Sequence, residues 1–120
     1  MRVQTTLIKD SIDLYQGEEL VKSIPFTFNA QSCLQKVQRL RADMLKKNAD
    51  GNIEGVGQAF WELLCVVFGE GVCNELNEWY DGDYLTMLAD VGPILTDLVY
   101  PAVDRLTENI VKTHKRVKQR

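Results

Sequence analysis

Between residues 48 and 104 the chain has neither lysine nor arginine. That window of 57 residues holds eleven acids and so carries −11. All 14 basic side chains and six acids lie outside it, which leaves +8 at the two ends and −3 over the whole 120 residues. The window is also the most hydrophobic part of the chain. A core built from it is expected to show a negative rim with few internal ion pairs, a surface that invites a basic or mixed partner.

Other absences narrow the function. There is one histidine, His114, set in a basic stretch with no Cys or carboxylate at metal-ligand spacing. A Ser-His-Asp or Cys-His arrangement cannot be built around it. Gly51, Gly55 and Gly57 follow a helix pattern rather than a strand and lack the Gly-Lys-Ser/Thr ending of a phosphate loop. The longest apolar run, Leu63 to Phe68, is six residues, against the roughly 20 that cross a bilayer. The first residues lack the apolar segment of a signal peptide, so a cytoplasm is the expected location. Three cysteines, Cys33, Cys65 and Cys73, make no disulfide framework; each falls on an apolar face and is expected to be a buried free thiol. No cofactor, no metal, no membrane contact and no enzymatic activity are expected.

What is present is a change of period. Ile12 and Leu14 alternate with polar residues, and Leu20, Lys22, Ile24, Phe26 and Phe28 do so again after Gln16-Gly17-Glu18. Residues 1–28 therefore read as a β-hairpin with Gly17 in the turn. Pro25 cannot donate to a ladder, which places its strand at an edge. After Asn29, a candidate N-cap, the period becomes about 3.6. Leu34, Val37, Leu40, Met44 and Leu45 share one face of a helix near 30–47. A second helix from Ile53 or Glu54 is apolar nearly all round and should be central, with Gly69 ending it in a left-handed conformation. A short third helix carries Val72, Cys73, Leu76, Trp79 and Tyr80. Asp83 can cap a fourth, which Gly92-Pro93 should interrupt. Pro101 should kink or split the last one. The fold class is mainly α: a compact bundle of four to five helices over 29–111, with the hairpin before it and a basic, frayed tail over 112–120, in one domain.

Lys46 to Ile53 imitates a calcium loop, but Lys46 and Gly57 stand where its first and last carboxylates belong, so it reads as a plain turn. Glu75, Glu78, Asp81 and Asp83 flank apolar positions as solvated and capping residues do. The aromatics Trp61, Phe68, Trp79, Tyr80, Tyr84 and Tyr100 belong mostly to the core. Trp79-Tyr80 beside an acidic turn has the composition of an interface anchor with a polar rim. The candidate partner-binding residues are Trp79, Tyr80, Glu75, Glu78 and Tyr84. Self-association through an exposed apolar face is also expected. Lys112, Lys115, Arg116, Lys118 and Arg120 are candidate phosphate contacts for a nucleic-acid partner, a weaker reading because no aromatics are interleaved to stack bases.

The stretch Ala59-Phe60-Trp61-Glu62-Leu63-Leu64-Cys65-Val66-Val67-Phe68-Gly69-Glu70 resembles the tail assembly chaperones of long-tailed phages. In that family a short β-like segment precedes a helical bundle, and an apolar helix ends in Phe-Gly followed by an acid. The resemblance covers the organisation of about residues 10–100. It implies a small non-enzymatic chaperone that binds the long helical tape-measure protein and keeps it soluble until the tube is built around it. The family offers no catalytic residues to carry over. The basic segment after Thr107 has no counterpart in its pattern and leaves room for a nucleic-acid-associated regulatory or packaging role.

Overall fold

The computed structural model describes residues 7–118, with side chains through Lys115. Strands β1 (Leu7–Gln16) and β2 (Glu19–Asn29) form an antiparallel hairpin, followed by α1 (Ala30–Ala49), α2 (Ile53–Phe68), α3 (Glu70–Tyr80), α4 (Tyr84–Ile94), a π turn (Leu95–Val99) and α5 (Tyr100–Lys118). The expected mainly helical architecture with an N-terminal hairpin is the one observed.

The hairpin turns through Gly17-Glu18, and Gly17 has the positive φ of 64° that a two-residue turn demands. Ile12, Leu14, Ile24, Phe26 and Phe28 are buried on one face, and Pro25 is exposed opposite Ser11. Leu20 departs from the expected alternation. Leu14 pairs with Lys22 but Tyr15 pairs with Leu20, so Val21 is an extra residue in β2. Such a bulge reverses the facing of the strand residues on its turn side. Tyr15, Leu20 and Val21 all end up about half exposed at the hairpin tip (55%, 50% and 49%).

Helix starts reflect the local chemistry. Asn29 accepts from Gln31 N–H, Asn52 from Gly55 N–H and Asp83 from Thr86 N–H, each satisfying a donor that the first helical turn leaves free. Leu45 is not on the buried face of α1; it is 62% exposed, while its neighbour Met44 packs against the core that holds Val37 and Leu40. Within the calcium-loop-like stretch 46–53, Asp50 to Asn52 form a plain turn between α1 and α2.

Helix α2 occupies the centre, packed against α1, α3, α4 and β2. Phe60, Leu63 and Leu64 are fully buried, and Phe68 meets Phe26 of β2 edge to face at 4.5 Å. Gly69 alone joins α2 to α3. Its φ is positive as expected, but at φ 85°, ψ 165° it is extended rather than left-handed helical, a region open to glycine alone. That geometry turns the chain directly into α3.

Gly92-Pro93 does not interrupt α4. Met87, Val91, Leu95, Val99 and Val103 are all buried at a spacing of four. On an α-helix that spacing drifts by about 40° per step. The π turn absorbs drift: Tyr100 N–H reaches Leu95 O, five residues back. The wider turn also sits where the Pro101 ring would otherwise press on the carbonyl of Asp97. The helical path therefore runs from Tyr84 to Lys118.

Leu63→Ala, in the fully buried centre of α2, should cost about 2–5 kcal/mol. Leu45→Ala should stay within about 0.5 kcal/mol. Urea unfolding followed by circular dichroism distinguishes the two; equal costs would contradict this core.

Candidate functional site

A groove of about 350 Å³ lies between β1 and the facing parts of α3 and α4. Residues 11–15 line one wall, and Trp79, Tyr80, Asp90, Val91 and Ile94 line the other. Because consecutive β1 residues of both faces contribute, the groove tracks the free edge of the strand rather than one face of the sheet. Helix α3 sets Trp79 and Tyr80 at the rim by burying Cys73 and Leu76 one and two turns earlier. Asp81 then leaves the helix in the left-handed conformation (φ 51°, ψ 43°), Gly82 comes next, and the chain reverses into α4.

Trp79 is 38% exposed. The Tyr80 hydroxyl donates to Asp90 Oδ2 at 3.1 Å, tying α3 to α4 along the helical wall of the groove. On the strand side Asp13 accepts from Ser23 Oγ at 2.6 Å and from Ser11 Oγ at 3.1 Å. Thus aromatic and aliphatic surface is flanked by two held carboxylates, and no Lys or Arg lines the groove.

The wider surface shares this sign. Among the described residues, only Glu75 and Asp104 of the eleven acids in the cation-free window have a cationic partner. Glu75 pairs with Lys22 of β2 at 3.4 Å, and Asp104 with Arg41 of α1 at 3.1 Å. Asp83 is held below the usual carboxylate range by hydrogen bonds from the Thr86 side chain and backbone.

The structure gathers only part of the expected partner-binding set. Trp79 and Tyr80 meet in the groove. Glu75 faces the hairpin in its ion pair, Glu78 is exposed outside the groove, and Tyr84 stacks on Trp61 at 5.0 Å beside a separate depression. Asp13, Asp90, Val91 and Ile94 complete the site. Their separations along the chain are set by tertiary packing, and no local spacing announces them. Lys112, Lys115 and His114 are exposed on α5. The side chains of Arg116 and Lys118, and Arg120 altogether, lie outside the described residues. Of the three thiols, Cys73 is buried and the other two are half-buried, each being free. Burial, with Cys65 beside it, pushes the Cys73 thiol up, away from reactive thiolate.

Among the described residues no group of His, Cys, Asp and Glu has the geometry of a metal site, and no helix is long and apolar enough to cross a membrane. Comparison with protein families, curated proteins and solved structures finds no match.

Burial, reinforced by the hydrogen bond to Asp90 and by its charge, pushes the Tyr80 phenol up to about 12. An acid that holds its proton more tightly when folded stabilises the fold below its unfolded pKa, near 10. That contribution is lost as pH rises from about 10 towards about 12. Asp90→Asn should lower the Tyr80 pKa only part way, since burial is the larger cause. Tyrosinate absorbance of the two proteins checks this; coincident curves would mean that Asp90 does not govern the phenol.

Proposed function

We propose that this protein is a non-enzymatic interaction protein that binds a long amphipathic helix through the acid-rimmed groove of Trp79 and Tyr80. It acts in the manner of the phage tail assembly chaperones that it resembles, with a tape-measure-like helical protein as partner and a host cytoplasm as the place of action. The observation that carries the reading is the convergence of Trp79, Tyr80, Val91 and Ile94 with Asp13 and Asp90, without a cation, in one groove. Its volume suits one or two inserted side chains rather than a buried helix. A helix lying across it would insert an apolar anchor and set flanking cations against the carboxylates. A helix suits better than an added strand, because Lys9, Asp10 and Asp13 put charges along β1, which blunts strand pairing at its edge.

The second reading rests on the exposed Lys112 and Lys115 of α5. A nucleic-acid partner engaged there would be lost when residues 112–120 are removed, and log affinity would fall steeply with log salt.

Co-expression with a tape-measure-type protein, scored by its soluble fraction and by affinity of the purified complex, separates these readings. Trp79→Asp should weaken binding roughly thirtyfold or more, and removing residues 112–120 should leave it intact. The opposite pattern would sink the chaperone reading and favour the tail.

A further inference from the structure

The ends of the chain carry the charge that the middle lacks, and the structure shows where that charge cannot go. Helix α5 lies against α1, where Gln38 Nε2 donates to Thr107 Oγ1 at 2.9 Å and Arg41 holds Asp104. Beyond Thr107 it leaves the bundle: every side chain from Glu108 to Lys115 is exposed. Ile110 is 51% and Val111 46% exposed, and they continue the line of the buried Val103 and half-buried Leu106 along the helix. Lys112 and Lys115 lie beside them, with no acidic partner among the described residues. A charged, amphipathic stretch of this length is a weak helix alone and gains by lying on another surface.

We propose that the groove between β1, α3 and α4 takes the last turns of α5 from a second copy of this chain. This rests on reading the groove as a helix-binding site. The complementarity is one of charge beside an aromatic anchor: the groove carries Trp79, Tyr80, Asp13 and Asp90 and no cation, and the end of α5 carries exposed Ile110 and Val111 with two lysines that pair with no acid among the described residues. Within one chain α5 is a continuous helix pinned to α1, and none of its described residues lines the groove. Each copy then offers one groove and one helix. Such a contact either closes by reciprocal exchange about a two-fold axis or extends head to tail into a ring or an open chain. The α5 end thereby covers the groove until the partner helix displaces it.

The test is sedimentation velocity of the intact protein over a range of concentrations at low and high salt. Mass should grow past that of a monomer at low salt and fall back at high salt. Lys112→Glu with Lys115→Glu should be monomeric, as should Asp13→Lys with Asp90→Lys. Mixing the two variants should restore assembly, because each reversed surface then meets its complement. A symmetric contact between α5 helices would not be rescued in this way. If the groove variant is misfolded by circular dichroism, a photoreactive residue at position 110 of the otherwise intact chain answers the same question. It should crosslink to residues 79–94 of a second copy. A monomer at all concentrations, assembly unaffected by the variants, or crosslinks confined to α5 would overturn the proposal. The lysine variant should still bind a tape-measure-type helix at full affinity. Helix binding by an intact protein that stays monomeric at every concentration would refute this inference alone, whereas failure of helix binding in every form would refute the reading beneath it.

Discussion

The structure depends on covering one helix on all but the strip of Glu54, Gln58 and Glu62. Phe60, Leu63 and Leu64 of α2 are wholly excluded from solvent, and burying side chains of that size is worth about 1.5–3 kcal/mol each. No single neighbour can do this. Helix α1 covers one side, α3 and α4 others, and β2 lays Phe26 against Phe68. The hairpin is therefore not an appendage. An isolated two-stranded hairpin is marginal in water, and this one persists because Ile24, Phe26 and Phe28 belong to the core of the helical domain.

The charge pattern stems from the same demand. The elements that wrap α2 on the α3–α4 side come from the stretch without lysine or arginine. Their apolar residues turn inward and their acids outward, where cations from the hairpin and α1 neutralise only Glu75 and Asp104 among the described residues. Exposed pairs of that kind add little stability. Their scarcity matters instead for recognition: a surface of one sign attracts opposite charge over about a Debye length, roughly 8 Å at physiological salt. Where β1 runs past α3 and α4, that surface folds into the groove of Trp79 and Tyr80, the recognition surface proposed above.

Much of the architecture could be read along the chain because it is written locally. Asn29, Asn52 and Asp83 cap helices through their own side chains, Gly17 supplies a positive φ, and the switch of period at Asn29 separates strand from helix. What escaped the sequence is set at longer range. The bulge at Val21 turns Leu20 outward, Leu45 lies in solvent while Met44 packs on the core, and Gly69 is extended because α3 must start at once. The helix survives Pro93 and Pro101 because the buried line from Met87 to Val103 outweighs two lost hydrogen bonds, aided by a π turn that no local motif marks. Trp79 and Tyr80 were visible as an anchor, being adjacent aromatics beside an acidic turn. Asp13 and Asp90 were not, since only folding brings β1 opposite α4. Tyr84, near Trp79 in sequence, is carried away by the reversal at Asp81-Gly82 and stacks on Trp61 instead.

The central claim is that the groove between the hairpin edge and α3–α4 is the recognition surface. Its most direct test is nuclear magnetic resonance of the isotope-labelled intact protein titrated with a basic amphipathic helical peptide. Shifts concentrated at residues 11–15, the Trp79 indole, Tyr80 and residues 90–94 are the result expected here. Shifts confined to α1 or α5, with those groove signals unmoved at saturation, would contradict it.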